Sequence, residues 1–382
     1  MKVVEVHIIQ NVAPANLNRD DTGSPKSAMF GGFRRARVSS QSQKRAVREA
    51  FPGQLPVDNL AVRTKKLLSK LAEKLAAHGK TKGDAKVAAQ AALEGVGLGI
   101  KNDNTEYLLF VGNEEVDRIA GLILEYWNEL QELARQSSSE EGKAKKKAAK
   151  AKVPDALKKA LESVFDGGRA IDLALFGRML ADRPEWNVDA AAQVAHAIST
   201  HKVDREFDFY TAVDDLSPKE ETGAGMMGDV EFYSATLYRY ANVNVEKLIE
   251  NLQGDRELAL RGVRAFLQSF VDTLPSGKQN TFAAHNPPDF VVVTVREGGA
   301  RNLANAFSKP VWRGREGLVA SSVAALDEYM GKIQRAYGGT NSSAHFLNLS
   351  TAKPSHTGRE HPSLADLLDA VMKDVEELVE AT

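Results

Sequence analysis

The stretch from about residue 56 to about residue 170 restricts the possible folds of this chain most, because it is helical in character while the segments on either side carry strand signals. Leu60, Leu67, Leu68, Leu71 and Leu75 recur at helical spacing, and Gly79 supplies a stop. Further helices are expected over Asp84–Glu94 and Asn113–Gln136. Ser137–Lys152 (SSSEEGKAKKKAAKAK) is of low complexity and is expected to be mobile. A long helical block between strand-bearing parts points to an insertion in an α+β fold, whose antiparallel sheet is covered on one face. The expected divisions are 1–55, the insertion 56–170, and the resumed fold 171–382.

Strand signals flank the insertion. Val3–Gln10 alternates, with Val4, Val6 and Ile8 on one side and Glu5 and His7 on the other, which reads as a half-buried strand. Asn11–Phe33 is rich in Asn, Asp, Gly, Ser and Pro and reads as a long irregular loop. Ser40 and Gln43 have capping-box spacing for a helix running to about Phe51, where Pro52-Gly53 stops it. Beyond the insertion, Asp208–Asp215 leads into a loop at Leu216–Gly228, followed by an aromatic strand at Phe232–Tyr240. Helices are expected near Val245–Leu252 and Asp255–Thr273, and Asp289–Val295 is the strongest strand signal of all. Leu364–Thr382 is an amphipathic helix with an acidic outer face.

Composition excludes several classes. Hydrophobic residues at 43% and charged residues at 26% are ordinary globular values over 382 residues. Cysteine is absent, which removes disulfides, thiolate catalysis and Cys-ligated metal sites. No apolar run reaches bilayer length and no signal-peptide core follows Met1, so a soluble, cytoplasmic protein without a membrane partner is expected. Fifty basic against fifty-one acidic residues exclude a globally basic nucleic-acid coat but not a local patch.

Short motifs offer little chemistry. Gly223-Ala224-Gly225-Met226-Met227-Gly228 matches G-x-G-x-x-G, but a polar loop precedes it and a strand follows, the wrong setting for a dinucleotide. An exposed tip fits better, with Met226 and Met227 placed to enter a partner or wedge between bases. His196 and His201 are five apart, off the zinc spacing, and read as core or hydrogen-bonding residues. Asp20-Asp21 and Asp214-Asp215 are carboxylate pairs that loop capping explains as well as metal or acid–base work. No catalytic residue, metal site or cofactor is expected.

The run from Gly31 to Arg48 is different, with Arg34, Arg35, Arg37, Lys44, Arg45 and Arg48 and no acid between Arg34 and Arg48. Two glycines allow close approach, arginines offer forks to phosphate, and Ser39, Ser40 and Gln41 add donors at a helix start. On a wheel Gln41, Lys44, Arg45 and Arg48 share one face. Such a set suits a nucleic-acid backbone, and it also suits a solvated helix face; residue types alone leave both open.

Leu17–Asp21, Phe30-Gly31-Gly32 through Arg35, and Arg37–Ser42 with Lys44-Arg45-Ala46 resemble the CasC family, backbone subunits of the type I-E CRISPR surveillance complex Cascade. Ala195–Ile198, Thr200-His201, Val203-Asp204, Phe209 with Thr211–Leu216, Tyr238–Asn242, Ala283-Ala284, Asn286-Pro287 and Asn305–Phe307 extend the resemblance in order. It implies a right-hand shape: a palm with an RNA-recognition-motif (ferredoxin-like) fold, helical fingers formed by the insertion, and a thumb loop at about 205–235. Several copies would stack along one guide RNA, grip its backbone and leave bases to pair with target DNA in antiviral defence. The implied partners are guide RNA, target DNA, other copies, other Cascade subunits and, indirectly, the effector helicase-nuclease. By matching position the RNA-gripping residues include Lys26, Ser39, Gln41, Lys44, Arg45 and Arg48. Lys309, Arg313 and Arg315 beside Trp312 match a basic loop near the nucleic acid, and Met226 or Met227 would be the thumb wedge. The rival reading is a metal-dependent CRISPR-associated endoribonuclease using Asp20 or Asp21, with His7 the one histidine close in sequence. A third is an RNA chaperone that binds as a monomer.

Overall fold

The chain begins with β1 (Lys2–Ala15), the hairpin β2 (Ser27–Phe30) and β3 (Phe33–Val38), and helix α1 (Ser40–Ala50). These come from a computed structural model that describes residues 1–137, 153–212, 226–338 and 342–380. Two units emerge, one of Met1–Phe51, Ala192–Glu246 and Val263–Thr382, the other of Pro52–Ala191 and Lys247–Gly262. No helix among the described residues is long and apolar enough to cross a membrane.

In the second unit β4 (Ala61–Thr64) pairs antiparallel with β7 (Leu109–Gly112), and the short strands β5 (Ile100–Lys101) and β6 (Asn104–Thr105) form a hairpin. Leu67, Leu68, Leu71 and Leu75 are fully buried on helix Leu67–Ala77, as their spacing predicts, and the helix gives way at Gly79, whose φ is +81°. Leu60 lies ahead of this helix, next to β4. The expected single helix over Asn113–Gln136 is two, Asn113–Glu125 and Trp127–Ser137, parted at Tyr126. A buried ion pair, Arg178 with Glu115 at 3.0 Å, joins the start of the first to the segment after helix Ile171–Phe176. The Glu115 carboxylate also accepts from Gly112 and Gly167 N–H, so the buried charge is fully satisfied.

The first unit resumes with β8 (Ala192–Val194), β9 (Ala197–Ser199), β10 (Glu206–Ala212), β11 (Met226–Asn244), β12 (Phe290–Glu297), β13 (Ser342–Asn348) and β14 (Arg359–Glu360). They form a ten-stranded sheet ordered β14-β13-β12-β1-β11-β9-β3-β2, with β8 and β10 also pairing β11. Every pairing is antiparallel except β13 with β14. The mixed α+β class is therefore as expected, but the sheet is covered on both faces. Ile9, Tyr238, Tyr240, Phe290, Val292 and Phe346 pack with Val323, Leu326 and Met330 of helix Gly317–Tyr337. Val4, Val6 and Ile8 lie on the opposite face, in register with Val295, Val293 and Val291. There His345, opposite Val293, reaches Asp374 of the C-terminal helix Leu364–Glu380 at 2.8 Å.

Two expectations are corrected here. Glu5 and His7 do not face solvent; they are 2% and 1% exposed. Alternation in β1 distinguishes two faces, but both are internal, and the polar one is bought off by pairing. Glu5 bonds Arg296 at 2.8 Å and accepts from Tyr240 Oη at 2.7 Å, while His7 Nδ1 lies 2.9 Å from Tyr238 Oη. Asn11–Phe33 is not all irregular: β1 continues to Ala15 and β2 occupies Ser27–Phe30. Pairing with β11 overrides the weak local preference of Asn11 and Ala15, and the register shifts between Val12 and Ala15, where Pro14 lies.

Candidate nucleic-acid interface

Helix α1 begins one residue earlier than its sequence suggests. Ser39 is the N-cap, and its Oγ accepts from Ser42 N–H at 3.3 Å. Gln43 does not close a capping box. It is buried, donating to the Ala195 carbonyl at 2.9 Å and accepting from Arg239. Arg239 is itself internal, donating also to Gln10, Phe270 O and Thr273 O, and burial pulls its pKa down to about 9. Val47 and Phe51 complete the inner face. Gln41 and Arg45 project outward and Lys44 and Arg48 are half-buried, the face given by the wheel.

The start of α1 is rich in donors and has no acidic residue in its first turn. His196, between β8 and β9, accepts from Ser40 N–H through Nδ1 at 2.9 Å, and Asn18 Oδ1 accepts from Ser39 N–H at 2.9 Å. Burial, then the charges of Arg37 and Lys26, lowers the His196 pKa and keeps the ring an acceptor. Lys26 and Arg37 thus stand beside the helix start. Arg37 N–H donates to the Lys26 carbonyl at 3.0 Å, and Tyr233 Oη donates to the same carbonyl at 3.2 Å. Arg45 is engaged with Glu49 at 2.7 Å, an exposed pair of small energetic weight that an anion can displace.

The second cluster is brought to the first by the β2–β3 turn. Gly31 and Gly32 have φ of +59° and +81°, as a type I′ hairpin requires. A Cβ on Gly31 would lie 1.7 Å from the Ser308 carbonyl oxygen, so the turn is seated directly on that backbone. Arg35 fixes the same junction. Its guanidinium donates to Thr200 O at 2.9 Å, Ser199 O at 3.0 Å and Phe307 O at 2.8 Å. Val311 N–H donates to Thr200 O at 2.9 Å. Lys309, Trp312, Arg313 and Arg315 all stand exposed on this anchored loop, and Arg34 is exposed on β3.

Arg35 therefore leaves the set expected to face phosphate: at 0% exposure, with both terminal nitrogens donating to carbonyls, it holds the platform together. Ser39 likewise acts through its cap. The expected loop at Leu216–Gly228 ends earlier than thought, because Met226–Gly228 already belong to β11, opposite Ala212, Thr211 and Tyr210. Met227 is exposed there, and so are Phe207 and Phe209 of β10, which the register puts on the face of Met227. Their i, i+2 spacing is the sequence signal of a strand here. Gly223–Gly225, Asp214-Asp215 and Ser138–Lys152 lie outside the described residues. Asp20 is a loop cap: Oδ1 accepts from Thr22 N–H, Thr22 Oγ1 and Ser24 N–H, and the Thr22 side chain leads in lowering its pKa. Asp21 is exposed in the same loop. His201 is a hydrogen-bonding residue, Nε2 accepting from Thr236 N–H. Among the described residues, no three His, Asp or Glu side chains converge as a metal cradle.

These features define a mixed α+β protein built on one large sheet, with a helix start and a glycine turn set among exposed cations. The chain belongs to the CT1975-like protein family, whose model matches residues 4–373. It is similar to a chain of a solved "CRISPR RNA-guided surveillance complex, pre-nicking", 32% identical with a TM-score of 0.83, covering 98% of this chain and 100% of that one. It is also similar to a chain of a "CRISPR RNA-guided surveillance complex", 27% identical with a TM-score of 0.73, covering 97% and 99%. No curated protein matches it.

Proposed function

We propose that this protein is a non-catalytic, guide-RNA-binding backbone subunit of a Cascade-type CRISPR surveillance complex, of the type I-E CasC kind. The likeness at a TM-score of 0.83 over 98% of this chain and all of its counterpart carries the reading. In it, the first unit is the RNA-recognition-motif palm, the helical second unit the fingers, and β10–β11 the thumb. Lys26, Arg34, Arg37, Gln41, Lys44, Arg45 and Arg48 meet phosphates around the start of α1, and Lys309, Arg313 and Arg315 extend the track. Guide sequences vary, so a protein serving all of them binds phosphate, sugar and shape and leaves sequence to base pairing. Several copies line one guide, present it to target DNA, and work with other subunits and an effector helicase-nuclease.

The test mixes purified protein with end-labelled single-stranded RNA and magnesium over a salt series, read on native and denaturing gels. Stepwise, salt-sensitive shifts with intact RNA are expected, and Lys309→Ala should reduce the slope of log K against log[salt] by about 0.7. Metal-dependent fragments that disappear in Asp20→Asn or Asp21→Asn would overturn the proposal in favour of an endoribonuclease. A single shift that never steps with RNA length would indicate a monomeric chaperone.

A further inference from the structure

Trp312 is 76% exposed, although the backbone around it is anchored at several points. Gly31 is seated on Ser308 O, Arg35 holds Phe307 O, Val311 N–H is bonded to Thr200 O, and Gly314 N–H to Ser321 Oγ at 3.2 Å. Pro310 is buried. These bonds fix the backbone on both sides of Trp312, and the ring stands out in water at a hydrophobic cost. Lys309, Arg313 and Arg315 flank it, and Glu316 is the one acid in the loop. On the hairpin seated against this loop, Phe33 is 40% exposed beside exposed Arg34. Aromatic rings interleaved with cations on a rigid backbone are what single-stranded nucleic acid binds by base stacking, the cations taking phosphates while the ring takes a base face.

We infer that the loop Lys309–Arg315 is a base-stacking platform, on which Trp312 takes the face of an unpaired nucleobase while Lys309, Arg313 and Arg315 hold the adjoining phosphates. The inference rests on the RNA-binding reading above and adds to it a contact with bases. Stacking tolerates any base, since each has a π face, so the platform keeps the sequence independence that a variable guide demands.

The experiment compares an eight-nucleotide oligouridine with the same oligomer lacking its bases, at a salt concentration giving measurable affinity for both. For full-length protein, Trp312→Ala should weaken the base-bearing oligomer about tenfold and leave the abasic one unchanged. Trp312→Phe should restore most of the loss, and Lys309→Ala should weaken both. Equal effects of Trp312→Ala on the two oligomers, or none on either, would overturn the stacking role. An effect confined to the step from one bound copy to several on longer RNA would also overturn it, assigning the indole to a contact between copies. If wild-type protein binds neither oligomer at low salt, the RNA-binding reading fails and this one with it; the first two results remove only the platform.

Discussion

Gly31 shows how much one hydrogen atom can decide. Its neighbour Gly32 shares the positive φ but has open space where a Cβ would be, whereas a Cβ on Gly31 meets Ser308 O. Gly32→Ala should therefore cost only the left-handed backbone penalty, about 1 kcal/mol. Gly31→Ala should cost clearly more, because the turn must lift off the loop that carries Lys309 and Trp312. Thermal unfolding midpoints of the two variants check this, and equal losses would mean the Ser308 contact has no weight. The pair of glycines was legible as a place of close approach. What approaches was not, since Ser308 is distant in sequence and nothing local marks it. Arg34, Arg35 and Arg37 make the same point: one residue type, three environments, and only the carbonyls of Ser199, Thr200 and Phe307 separate the buried arginine from the exposed one.

Helix α1 places its positive end and its cations together, and its first turn lacks the acid that would normally oppose the helix dipole. Gln41→Glu would supply one. It should stabilise the protein by about 0.3–1 kcal/mol and, on the proposed function, at the same time weaken RNA binding, because the new carboxylate would stand where that proposal puts a phosphate. Opposite signs for the two measurements are the expected outcome; a variant both stabler and equally tight would detach the helix start from the interface. The helix and its outward face followed from periodicity. Its cap did not, because Gln43 obeys a partner outside the helix, the Ala195 carbonyl, and not the local capping box. Similarly, the alternation of Phe207 and Phe209 marks a strand, but only pairing with β11 shows that it forms a ribbon with Met227 on the same face.

At the scale of the whole molecule, buried histidines tie stability to pH. Burial, aided by Arg296, lowers His7 to about 3. His201 and His361 are lowered in the same direction, each mainly by burial, while the exposed His196, lowered too, adds little because solvent screens it. Once unfolded, these imidazoles take up protons below about pH 6.5. The folded protein then binds fewer protons than the unfolded chain, so the stability present above pH 6.5 is lost as pH falls toward 3. Each imidazole whose titration is wholly displaced contributes up to about 1.4 kcal/mol per pH unit. Denaturant midpoints should fall between pH 7.5 and pH 5, and His7→Phe should flatten the decline. An unchanged slope in that variant would show that His7 is not the group kept neutral.

Periodicity, capping residues and composition specified by themselves that the chain is α+β, that a helical block interrupts strand-bearing segments, and that cations gather on one face of α1. These are local properties, repeating every two or every three to four residues, and they survive whatever the chain packs against. The tertiary structure alone decided that both faces of the sheet are covered, that Glu5 and His7 are internal, and that Arg35 is a strut. It also decided that the loop of Lys309 and Trp312 meets the hairpin of Arg34. Each depends on a partner many residues away, and a carbonyl oxygen such as Ser308 O, identical in every residue, leaves no trace in the sequence until the fold brings it to Gly31 and Arg35.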